Sequence, residues 1–161
     1  MQKKVMLCLG VMLVLAGLAV NVQVRAADNP NNGTWKLNVD KSKFDPGPGP
    51  KMETITVTID NGTETFKAEG TDGKGNPIAS SFTAKVDGTE SPLEGNPNGD
   101  TISVKQISPS HLVAHMKKGG KATETVHVMV SKDGKTRTQT YSGNTADGKA
   151  VHDVLVFDKQ M

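Results

Sequence analysis

His111-Leu-Val-Ala-His115 is the first place in this 161-residue chain where residue type and spacing invite chemistry. On a helix, histidines four apart share a face and can hold one zinc ion. On a strand the same four residues span about 13 Å, whereas ligand nitrogens sit about 2 Å from a bound zinc. Position 112 is leucine where the helical zinc-protease motif carries glutamate. No metal is expected at this pair.

His127 depends on strand register. Across a Gly119-Gly120 turn Lys118 stands opposite Lys121, which sets Leu112 against His127 and His115 against Glu124. If Leu112, Ala114 and Met116 face inward, so do His127 and Met129, and His115 with Glu124 is a solvated cross-strand pair. If Val113, Val126, Val128 and Val130 face inward, the roles reverse, and the sequence leaves both open. Arg137, Gln139 and Tyr141 share one face of the next alternating segment. They either orient a ligand inside an apolar pocket or lie outside among threonines. No nucleophile elbow, phosphate loop, Cys–His pair or acid–base carboxylate pair is present. The Asp/Asn-Gly loops lack the alternating acids and closing glutamate of a calcium loop. No enzyme and no cofactor are expected; a catalytic base at His127 or at His115–Glu124 is the weaker alternative.

The elements that must position these residues are strands. Asn61-Gly62, Asp72-Gly73, Asp87-Gly88, Gly119-Gly120, Asp133-Gly134 and Asp147-Gly148 punctuate runs rich in Val, Ile, Thr and Phe. Such dipeptides supply the positive φ that tight hairpins require. Gly33 to Val39 alternates with Trp35, Leu37 and Val39 on one face. Asp40 to Phe44 predicts a single helical turn, and the three prolines from Pro46 to Pro50 predict an extended link. Met52 to Asp60 and Thr63 to Gly70 make the clearest hairpin, with Val57 facing Phe66, Ile55 facing Ala68 and Ile59 facing Glu64. Segments 78–86, 89–94, 101–107, 111–118, 121–131, 136–142 and 150–158 continue the meander. The pattern predicts an all-β fold, a single up-and-down antiparallel β-barrel of nine or ten strands, because closure removes exposed edges. A two-sheet sandwich is the alternative, disfavoured by the short connections.

Residues 1–26 are expected to be a cleaved signal peptide: Lys3 and Lys4 precede the apolar stretch Val5 to Val20, and Val24-Arg25-Ala26 places small residues at −3 and −1. The stretch is short for a spanning helix, which needs about 20 residues, so no membrane span is expected after removal. Cys8 lies too early in that stretch to be a lipidation site. Of 19 basic residues three belong to this leader, leaving 16 against 17 acidic ones. That balance, with one remaining arginine, argues against nucleic acid. Residues 27–32 are expected to be a flexible lead, and 33–161 a single barrel domain. No disulfide remains once Cys8 leaves.

Gly33-Thr34-Trp35-Lys36-Leu37 resembles the first strand of lipocalins and fatty-acid-binding proteins, and Lys132 to Lys135 with Val154 to Lys159 resembles the end of fatty-acid-binding proteins. The resemblance implies a bacterial, secreted, lipocalin-like member of this calycin group whose interior holds a small molecule. Two departures stand out. The helix pair that covers fatty-acid-binding proteins has only the segment from Asp40 to Lys51 in its place. Their carboxylate-binding Arg-x-Tyr corresponds here to Leu155 and Phe157, which favours a neutral, hydrophobic ligand or lipid. The expected lining is Trp35, Phe66, Phe82, Met116, Met129, Leu155 and Phe157, with His127, Arg137 or Tyr141 as polar handles. The protein is expected to be a periplasmic or secreted monomer. Aromatic residues make up only 4% of the chain, which supports the rival expectation of a filled-core barrel acting as an envelope or extracellular interaction module.

Overall fold

The structure, a computed structural model, describes residues 29–161. The expected signal peptide and the first two residues of the lead lie outside them. Ten antiparallel strands follow one another: β1 (Gly33–Leu37), β2 (Met52–Asp60), β3 (Thr63–Thr71), β4 (Pro77–Lys85), β5 (Asp87–Glu94), β6 (Thr101–Ser108), β7 (His111–Lys118), β8 (Lys121–Val130), β9 (Thr136–Asn144) and β10 (Ala150–Lys159). The helical turn expected after β1 is a single 3-10 turn at Val39–Lys41. Each strand pairs with its chain neighbour, and β1 closes the ring against β10 through Trp35↔Lys159, Lys36↔Asp158 and Leu37↔Phe157. The result is a closed up-and-down barrel, with no sheet edge left to pair with another chain.

Local chemistry explains the hairpins. Asn61 and Gly62 both adopt positive φ, 47° and 75°, the conformation a two-residue turn needs to match strand twist. That turn fixes β2 against β3 with Ile55↔Ala68, Val57↔Phe66 and Ile59↔Glu64, in the expected register. The β4–β5 seam is the most sparsely paired in the wall, in register only at Ser81↔Glu94 and Phe82↔Leu93.

The β7–β8 hairpin departs from expectation. Lys118 does pair with Lys121 and Lys117 with Ala122, but His115 pairs with Thr125 and Ala114 with Val126. An extra residue on β8 near Thr123 and Glu124 makes a β-bulge, which reverses the facing of everything beyond it. Leu112, Ala114 and Met116 therefore share the interior with Val126, Val128 and Val130. The β7 half of one face and the β8 half of the other, which a regular ladder makes mutually exclusive, are both buried, while Val113 joins His127 on the outer side. His127 and Met129 are turned to the outer face, Met129 with 48% of its surface exposed. The bulge needs a close neighbour without a side chain: Gly143 on β9 sits opposite Glu124, and a Cβ there would lie 2.2 Å from the Thr123 carbonyl oxygen.

One end of the barrel, here termed the floor, is sealed by the segment before β1. Asn31 is fully buried; its carbonyl accepts from Trp35 Nε1 at 3.0 Å and its amide donates to the Pro109 carbonyl at 2.9 Å. Asn32 bridges the backbone of Ile59, donating to its carbonyl at 3.2 Å and accepting from its N–H at 2.6 Å. The Lys159 ammonium lies 5.0 Å from the centroid of the Trp35 ring, a cation–π cover over the indole. Residues 29–32 are thus a built plug and not the flexible lead expected, because three asparagine side chains satisfy backbone groups that closure would strand. Among the described residues no helix is long and apolar enough to cross a membrane.

Candidate site in the barrel interior

β3 and β9 carry the deepest polar groups. Glu64 and Arg137 are both almost wholly buried, with Arg137 Nη2 3.9 Å from Glu64 Oε1. Arg137 Nη1 also donates to the Asn31 Oδ1 at 3.1 Å, which ties this pair to the floor. Burial pushes the Glu64 carboxyl above its ordinary range while Arg137 pulls it back. Burial also lowers the Arg137 guanidinium to about 10, opposed by the Glu64 charge, so it stays cationic at neutral pH. Its Nε has no hydrogen-bond partner, and an unmet buried donor costs about 1–3 kcal/mol.

That guanidinium lines an internal cavity of about 40 Å³. Glu64, Gln139 and Arg137 supply its polar side; Phe66, Phe82, Val104, Leu112 and Val128 are among its apolar walls. Phe66 and Phe82 stack with centroids 5.0 Å apart and planes within 9°. The same two rings line a surface groove of about 450 Å³ over β3, β4 and β5. The stacked pair therefore separates inside from outside beside that sparsely paired seam.

The opposite end, the rim, is acidic on its inner face. Burial pushes the Glu53 carboxyl up to about 7. Glu124 also rises to about 7, through burial first, against a hydrogen bond donated by Asn98 Nδ2 at 2.8 Å. The Asp153 carboxyl is raised by burial as well, although the Asp45 N–H donates to it at 2.7 Å. Tyr141 stands opposite Asp153, donates to Gln139 Oε1 at 2.9 Å, and has its phenol pushed up by burial and by the Glu53 charge.

Of the residues expected to line the interior, Phe66, Phe82 and Arg137 meet at the cavity. Trp35, Met116, Leu155 and Phe157 are buried core side chains away from it, and Tyr141 packs partly buried toward the rim. His127 and Met129 are misassigned, displaced outward by the β8 bulge. His115 is exposed, 3.1 Å from Thr125 Oγ1, and Glu124 is buried, so the expected solvated pair is absent. Sequence reasoning missed Glu64 and Asn31 as site residues. Glu64 was already opposite Ile59 in the predicted hairpin, and that inward position was the available signal. Among the described residues no three His, Cys, Asp or Glu side chains converge as a metal-binding group.

No protein-family model matches the chain, and no curated protein matches it. A solved structure does: zebrafish ileal bile acid-binding protein complexed with cholic acid, at 15% identity and a TM-score of 0.53, covering 81% of this chain and 99% of that one. The similarity, with the closed ten-strand barrel, shows that the chain has a fatty-acid-binding-protein-like fold.

Proposed function

We propose that the barrel binds a hydrophobic small molecule in its interior. The observation that carries this reading is the unpartnered Nε of Arg137, a residue on the polar side of a mostly apolar cavity. A chain selected only for a filled core gains nothing from an unmet buried donor, whereas a ligand oxygen there would complete it. The bile-acid-binding neighbour lends support at the level of fold. The ligand's apolar part lies against Phe66 and Phe82 and displaces their stack, since the cavity of about 40 Å³ holds only a few waters. The basic start at Lys3 and Lys4, the apolar stretch Val5 to Val20 and Val24-Arg25-Ala26 support a reading of export, and we propose a periplasmic or extracellular monomer of bacterial origin; a mature amino terminus at Ala27, read by mass spectrometry, tests this.

A second reading has its own support. Ligand pockets commonly run from about 300 Å³ upward, and this cavity is about 40 Å³. A packed barrel serving as an envelope or extracellular interaction module fits that volume. Titration with fatty acids, bile-type steroids and neutral lipids, read by native mass spectrometry and Trp35 fluorescence, separates the two. A saturable one-to-one complex with one class supports the carrier. No complex with any of them, and no small molecule retained on purification from the native host, leaves the packed module.

A further inference from the structure

We propose that His111 and His127 form an outer-face binding site for a late first-row transition-metal ion, copper foremost. The inference is independent of any ligand inside the barrel. The chain has four histidines, and the β8 bulge brings two of them together. It sets His127 opposite Val113 instead of Leu112, and hence on the outward face that also carries His111. His111 Nε2 and His127 Nδ1 then point at each other 3.5 Å apart, with ring centroids 5.8 Å apart and planes 29° from parallel.

That separation is at the outer limit of a hydrogen bond between the two rings. It lies within a small side-chain adjustment of two neighbouring ligands of one ion, whose nitrogens are roughly 3.3–3.4 Å apart at a tetrahedral centre such as Cu⁺ and about 2.8–2.9 Å apart in the square plane of Cu²⁺. The required tautomers place N–H on His111 Nδ1 and His127 Nε2, leaving the facing lone pairs for the metal. His115 is excluded from the pair because it lies four residues along the strand and beside Thr125. Met129 stands directly opposite His111 on the same face, 48% exposed, where an aliphatic side chain gains nothing from burial. Its thioether offers a soft donor for the reduced ion, and imidazole with thioether is a donor set that favours copper.

The test is calorimetric titration of the mature protein with Cu²⁺ and Ni²⁺, and a competition assay with Cu⁺. His111→Ala and His127→Ala should each weaken Cu²⁺ binding by about 100-fold, the gain a second tethered ligand gives. His115→Ala and His152→Ala should leave it unchanged. Electron paramagnetic resonance of the Cu²⁺ complex should show two coordinated imidazole nitrogens that fall to one in either variant. Met129→Leu should weaken Cu⁺ alone. Wild-type affinity in the His111→Ala/His127→Ala double variant, or an equal loss in His115→Ala, overturns the site. Equal effects of Met129→Leu on Cu⁺ and Ni²⁺ remove the thioether from it. All these positions lie on the outer wall, and far-UV circular dichroism with His111→Gln and His127→Gln keeps the result readable should an alanine variant misfold.

Discussion

At the floor of the barrel Glu64 shares its burial with Arg137; at the rim Glu53 and Glu124 are desolvated with no cation acting on them. The same functional group is thus accommodated in two ways. Where the fold supplies a counter-charge, Arg137 pulls back the rise that burial imposes on the Glu64 carboxyl, and the pair is bound into a network that reaches Asn31 and the plug. Where it does not, the carboxyl's affinity for a proton rises until it titrates near neutrality. The floor is therefore a structural knot whose integrity depends on both partners. The rim is an environment whose charge follows the medium.

Breaking the floor should have the largest effect. Arg137→Met leaves Glu64 buried without its cation, and we expect a loss of about 3–5 kcal/mol in urea unfolding. Adding Glu64→Leu to that variant should restore much of the loss, since the pair's value lies in mutual compensation. A double variant no better than the single one would show that the two do not act together. Next in size is Gly143→Ala. Its Cβ meets the Thr123 carbonyl at 2.2 Å, and a cost of about 1–3 kcal/mol follows from the enforced shift, with amide-exchange protection lost first on β8 and β9.

The rim should show itself in pH dependence. A carboxyl whose folded pKa lies above its unfolded one binds its proton more tightly when folded, so its stabilising effect is present at low pH. It is lost as pH rises from about 4.5 to about 7 for Glu53 and Glu124. Each shift corresponds to roughly 3 kcal/mol at most, and discounting both groups for solvent screening leaves about 1–2 kcal/mol apiece over that window. Thermal unfolding at pH 5, 6, 7 and 8 measures it, and Glu53→Gln with Glu124→Gln should flatten the profile. An unchanged slope in that double variant would assign the dependence elsewhere.

How much of this was legible differs between hairpins for a physical reason. The β2–β3 pair is readable residue by residue because Asn61-Gly62 sets the register and no extra residue intervenes. The β7–β8 pair is not, because a bulge carries no strong sequence mark and shifts facing by one. The closure of the ring follows from many short turns, and the interior placement of Arg137 and Tyr141 was one of two open faces. The plug was hidden for another reason. A run of asparagines before a strand looks solvated by composition, and only tertiary contact shows Asn31 filling the floor. Cavity volume depends on how Phe66 and Phe82 stack, which no pattern of residue types encodes.

The plug has a practical corollary. Asn31 roots the start of the barrel at the end away from Glu53, Glu124 and Asp153. A tether, tag or sensor surface joined upstream of Asn29 would grip the molecule from beneath and present its acidic opening to the surrounding fluid. Fusing the same handle to a loop such as 145–149 would instead crowd that opening. Immobilised assays should therefore be built from the amino-terminal side.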